Sequence, residues 1–149
     1  MNSFFILAFF IFCDLITKFL IKNNFLINES KELNRFLDIV YIQNYGVSFG
    51  FLSGLVSYWV LVIVGLLVTS LIYYLMIRSY KRLEKLAYFI IIIGALANIL
   101  DRIINSYVVD FISLHYGDFY WPAFNLADIY ITIGIIMLII SFFIKSEEH

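Results

Sequence analysis

Residues 55–77 contain no Asp, Glu, Lys or Arg. A helix of about 20 apolar residues matches the hydrocarbon thickness of a bilayer. Three further stretches, 4–21, 86–104 and 129–144, are nearly as apolar. Four transmembrane helices are therefore expected, in one integral membrane domain over 1–149. Composition agrees: 63% of residues are AVILMFWYC and 14% are charged. A soluble domain carries about a quarter charged residues, so this chain lacks the polar groups to cover a water-facing surface. Its high hydrophobicity also excludes disorder. The net charge of −1 gives no basic surface for nucleic acid, which is not expected as a partner. Cys13 is the single cysteine and has no internal disulfide partner.

The first stretch lacks a leading Lys or Arg and is interrupted by Asp14 and Lys18. It reads as a retained span, not a cleaved signal peptide. Basic residues in short loops set orientation. The connection 78–85 holds Arg78, Lys81, Arg82 and Lys85, and Lys145 follows the last span. These place both termini and 78–85 in the cytoplasm, and the connections 22–54 and 105–128 outside. Lys22, Lys31 and Arg35 lie on the outer side and weaken the bias. Within 22–54, Leu37-Asp38-Ile39-Val40-Tyr41-Ile42-Gln43 is β-branched and aromatic, which predicts a strand. Asn44-Tyr45-Gly46, Gly50 and Gly54 are turn signals. The expected fold is an all-α membrane protein of four transmembrane helices, with a small β-rich element on its outer side.

Ionisable groups inside a membrane cost at least ~2.5–3.5 kcal/mol and usually serve a function. Asp14 and Lys18 are four apart and share a helical face. They form an internal ion pair with Lys18 snorkelling outward, or support a site at the outer membrane edge, and both readings can hold together. Asn98, Asp101 and Arg102 also share one face, beside the small residues Gly94, Ala95 and Ala97 that allow close helix approach. Asp110 stands in the apolar run Tyr107-Val108-Val109-Asp110-Phe111-Ile112 and needs a partner. Asp128 opens the fourth span. Asn125 is a good N-cap, and Asp128 three residues later can close a capping-box arrangement. On these grounds alone, capping outweighs catalysis for Asp128.

Asp110 and Asp128 are expected at one membrane level. Two carboxylates in a partly dry site cannot both ionise easily, and one keeps a proton. That state suits hydrolysis by an aspartyl dyad: one carboxylate activates water while its protonated partner polarises the carbonyl. Neither a metal nor another cofactor is required. His115 and His149 lack a partner at metal spacing. His115 is expected at a surface or interface, and His149 in the tail.

Five blocks now resemble the lipoprotein signal peptidase (signal peptidase II) family, in that family's order. They are Asp14-Leu15-Ile16-Thr17-Lys18, Asn44-Tyr45-Gly46-Val47-Ser48-Phe49-Gly50, Gly94-Ala95-Leu96-Ala97-Asn98-Ile99-Leu100-Asp101-Arg102, Val108-Val109-Asp110-Phe111-Ile112 and Phe124-Asn125-Leu126-Ala127-Asp128. The resemblance implies a bacterial inner-membrane aspartyl endopeptidase with an extracytoplasmic site. It implies removal of the signal peptide from diacylglyceryl-modified prolipoproteins, just before the lipidated cysteine. It makes Asp110 and Asp128 catalytic. It gives Asp14, Lys18, Asn44, Gly46, Asn98, Asp101, Arg102 and Asn125 roles in site support or substrate binding. The expected partners are a lipid-modified substrate and membrane lipid, with the protein a monomer. Ala97, Val47-Ser48, Ser113 and Ile129 depart from the family's usual residues, each beside a motif position. The rival reading is a small proton- or cation-coupled transporter using Asp14 or Asp101. A non-catalytic subunit or lipid-binding scaffold is a further rival. A different class of intramembrane aspartyl protease would often carry a Gly-x-Gly-Asp run, which is absent.

Overall fold

The computed structural model describes residues 3–46 and 56–146. Val47-Ser48-Phe49-Gly50, Gly54, the expected start of the second span at 55, and His149 lie outside the described residues. The elements run α1 (Ser3–Asn24), β1 (Ser30–Asn34), β2 (Leu37–Asn44), α2 (Tyr58–Arg78), α3 (Arg82–Asn105), β3 (Val108–Tyr116), β4 (Phe119–Tyr120) and α4 (Leu126–Ser146). All four helices are long and apolar enough to cross a membrane, and the protein is a multi-pass membrane protein. Helix α3 starts four residues before the expected span, at Arg82 instead of residue 86, and so absorbs half of the basic connection. Helix α4 starts at Leu126 rather than 129, because its first turn is capped by polar side chains instead of beginning at the apolar run.

Helix α3 is the hub and packs against α1, α2 and α4. Half of its spanning window is buried, against about a sixth for each other helix. This explains why the most polar span is tolerated: Asp101 and Arg102 face protein, not lipid. The α3–α4 contact is close because each helix offers a glycine to the other's backbone. A methyl group on Gly94 would lie 2.3 Å from the Ala127 carbonyl oxygen, and one on Gly134 would lie 2.7 Å from that of Ala87. Ala87, Ala97 and Ala127 are fully buried in the same seam, as expected where small residues drive packing in lipid.

The β-rich element is larger than the sequence indicated. Only β2 was expected. In fact β1, β2, β3 and β4 form one antiparallel sheet in that order. The connection 105–128 was legible as an apolar run with one acid, but Val108–Tyr116 is a strand paired with β2 through Ile42↔Asp110 and Asn44↔Val108. Ser106 adopts φ 68 and ends α3. Gly117 at φ 57 turns β3 back into β4. The returning chain then meets β3 again: the Phe111 and Ile112 amides donate to the Phe124 oxygen at 2.9 and 2.8 Å. That contact lays Asn125 beside Asp110 and starts α4 at the same end of the bundle.

Candidate active site

Asp110 projects from β3 and is 3% exposed. Its Oδ1 accepts from Asn125 Nδ2 at 2.6 Å, and its Oδ2 from Asn44 Nδ2 at 2.9 Å. Asp128, in the first turn of α4, is half-buried. Its Oδ1 accepts from Asn98 Nδ2 at 2.9 Å and its Oδ2 from the Asn125 amide at 3.2 Å. The Asp128 amide donates in turn to Asn125 Oδ1 at 3.1 Å. The capping box expected for Asn125 and Asp128 is therefore formed, and the same asparagine holds Asp110. One residue bridges the two carboxylates.

Three asparagines thus aim their amide N–H groups at the pair, and each has its oxygen held by a donor. Asn44 Oδ1 accepts from the Gly46 amide at 2.9 Å, Asn125 Oδ1 from the Asp128 amide, and Asn98 Oδ1 from Lys18 Nζ at 2.8 Å. None can rotate by half a turn without setting donor against donor. Burial pushes the Asp110 carboxyl up to about 7, with the nearby Asp128 charge adding to the rise. The Asn44 and Asn125 bonds and the Lys18 charge oppose it.

A cleft of about 660 Å³ opens over this pair. Asn44, Asn98, Arg102, Asp110, Asn125 and Asp128 line its polar part. Leu114 and Trp121 of the sheet side, and Ile131 and Ile135 of α4, line its apolar arms. Arg102 donates from Nη2 to the Gly46 oxygen at 2.7 Å, while its buried Nε has no hydrogen-bond partner among the described residues.

Asp14, Lys18 and Asp101 are not among the cleft-lining residues. Lys18 is 2% exposed and points inward, so the expected outward snorkelling does not occur. Its Nζ lies 2.8 Å from Asp14 Oδ2 and 3.3 Å from Asp101 Oδ2. Each acid also holds backbone: Asp14 Oδ1 accepts the Ala127 amide at 2.9 Å, and Asp101 Oδ2 accepts the Val109 amide at 2.8 Å. A long side chain reaches the interface only when lipid surrounds it, and here two buried carboxylates hold it more strongly. The ion pair and its neighbours join α1, α3, β3 and the start of α4 directly beneath the carboxylate pair.

Two groups escaped the sequence reading. Gln43 donates to the Tyr41 hydroxyl at 3.0 Å, Tyr41 and Tyr107 share a 2.9 Å bond, and Tyr45 donates to Gln43 at 2.8 Å. This network flanks Asn44 on β2. Tyr41 and Gln43 lie two apart on β2 and so share a face, but nothing in the sequence named Tyr107 as their partner. Asp38, placed by the sequence in the predicted strand but given no partner, is buried. It accepts from Ser30 at 3.2 Å and lies 3.1 Å from His115 Nε2. His115 also stacks on Tyr120 at 4.9 Å. Its partner Asp38 lies 77 positions away in the sequence.

Against this geometry, the family described as Signal peptidase (SPase) II matches residues 6–144. The chain belongs to the signal peptidase II family. It is 39% identical over 129 residues to a lipoprotein signal peptidase of Burkholderia thailandensis, covering 85% of this chain and 78% of that one. It is 35% identical over 140 residues to one of Vibrio parahaemolyticus, covering 90% and 83%. It also resembles a bacterial membrane enzyme solved by the in meso method at 2.3 Å resolution. That likeness has a TM-score of 0.88 at 31% identity and covers 99% of this chain and 90% of that one. Family membership makes the chain a peptidase, and the shared fold explains why sheet and helices meet where they do.

Proposed function

We propose that this signal peptidase II chain is an aspartyl endopeptidase. It removes the signal peptide from diacylglyceryl-modified prolipoproteins by cleaving before the lipidated cysteine. The observation that carries the reading is the bridging of Asp110 and Asp128 by Asn125 in one cleft. Water bound between the carboxylates loses a proton to the ionised one as it attacks the scissile carbonyl. The protonated partner donates a hydrogen bond to that carbonyl and stabilises the tetrahedral oxyanion. Collapse breaks the C–N bond, and a proton passes from the dyad to the departing cysteine amine. The products are a signal-peptide carboxylate and a free lipidated amino terminus.

The basic connection 78–85 assigns its end of the bundle to the cytoplasm, so the sheet and cleft face outward at the inner-membrane surface. The acyl chains then remain in the outer leaflet while the signal helix lies against the apolar cleft wall. The transporter alternative needs a mobile charge at Asp14 or Asp101, and both are held by Lys18 and by backbone amides. The deciding experiment incubates purified protein with a diacylglyceryl-modified prolipoprotein and with its unlipidated form. Cleavage of the lipidated form alone, lost in Asp110→Asn and in Asp128→Asn at normal protein levels, is expected. A fully active Asp110→Asn enzyme would end the dyad assignment.

A further inference from the structure

The three asparagines around the carboxylate pair differ in what holds them. Asn44 and Asn125 are oriented by backbone amides, whereas Asn98 is oriented by an ammonium group. An ammonium is a donor only. The atom of Asn98 that lies 2.8 Å from Lys18 Nζ must therefore be the carbonyl oxygen. The amide nitrogen then faces Asp128 Oδ1 at 2.9 Å. A bond in which one partner is charged is roughly twice as strong as a neutral one, and it polarises the next bond in the chain.

From this we infer that Lys18 is a positioning residue for catalysis: acting through Asn98, it keeps Asp128 as the carboxylate that takes the proton from water. The inference rests on the dyad reading and deepens it by assigning the two acids unequal roles. The proton shared by the pair then resides on Asp110, whose hydrogen-bond donors are the neutral, backbone-oriented amides of Asn44 and Asn125. Among the described residues, Arg102 of α3 and Asp110 of β3 are the charged or titratable groups that act on Asp128 directly, Lys18 of α1 reaches it through Asn98 and is paired with Asp14 and Asp101, and β2 contributes the uncharged Asn44 to the site. Among them Lys18 is the one joined to Asp128 through a single side chain. Asp14 and Asp101 hold the Lys18 side chain fixed beside Asn98.

The test is a double-mutant cycle on the full-length enzyme, with a lipidated prolipoprotein as substrate. Lys18→Met is expected to lower kcat about tenfold, leave KM unchanged and move the acid limb of the kcat profile about one unit higher. Asn98→Ala is expected to do the same. The double variant is expected to lose nothing further, because both changes cut one chain of bonds. Losses that multiply, or an acid limb that stays in place, would overturn the inference. Where Lys18→Met fails to accumulate because two buried acids are left unpaired, the cycle is read in the Asp14→Asn background, with the same outcomes deciding. Asp110→Asn and Asp128→Asn run alongside. If both stay active, the dyad itself fails. If both are inactive and the cycle is multiplicative, the role of Lys18 alone fails.

Discussion

The seam between α3 and α4 makes the site sensitive to a single methyl group placed outside it. In Gly94→Ala the new carbon would stand 2.3 Å from the Ala127 carbonyl oxygen and 2.8 Å from Ile131 Cγ1. The first of these is backbone and cannot rotate away. Helix α4 has to withdraw by about 1 Å to reach ordinary van der Waals contact. Asn98 lies one turn beyond Gly94 on α3, and Asp128 immediately follows Ala127. The 2.9 Å bond between them would lengthen to about 4 Å, which is no longer a hydrogen bond. The 2.9 Å bond from the Ala127 amide to Asp14 is strained by the same movement. Overpacking of this kind costs about 1–3 kcal/mol of stability, and a 1 Å misplacement of reacting groups costs on the order of a hundredfold in rate. The assay is kcat on a lipidated prolipoprotein, paired with thermal denaturation in detergent. Gly117→Ala is the control: its φ of 57° strains an alanine, but nothing lies within 4 Å. It should lose about 1–2 kcal/mol and keep full activity. A Gly94→Ala enzyme cleaving within about threefold of the parent would show that the α3–α4 spacing, and with it the Asn98–Asp128 bond, does not control cleavage.

The carboxyl of Asp110 is raised to about 7 from an ordinary 3.8. The folded state therefore holds a proton that the unfolded chain releases, so stability falls as pH rises from about 4 to about 7 and is flat beyond. Thermal denaturation should show this slope in the parent and its loss in Asp110→Asn. Under the proposed mechanism, cleavage should decline above about pH 7 as Asp110 loses its proton, measured as kcat against pH. Asp38→Ala removes the acceptor for Ser30 and His115 and should cost about 1–3 kcal/mol in denaturation, with cleavage unchanged. Tyr107→Phe removes one hydroxyl from the network behind Asn44 and should cost about 1 kcal/mol by the same measurement.

Composition and the distribution of charge settled the four spans, because an apolar helix has a single stable solution in a bilayer whatever surrounds it. They also singled out Asp14, Lys18, Asn98, Asp101, Arg102, Asp110 and Asp128, because ionisable or amide groups in lipid-facing stretches need an explanation. Order along the chain tied these residues to one family. Their connections were not legible. Whether Asp128 capped a helix or faced another acid depended on Phe124 pairing with Ile112, a contact made only once β3 and β4 fold back. Whether Lys18 reached water or turned inward depended on Asp101, which a different helix supplies. Asp38, within the predicted strand, and His115 had no evident link until sheet register brought them together. Hydrophobic patterning is a local property and survives in the sequence, whereas the pairing of polar groups is set by long-range geometry and exists only in the folded chain.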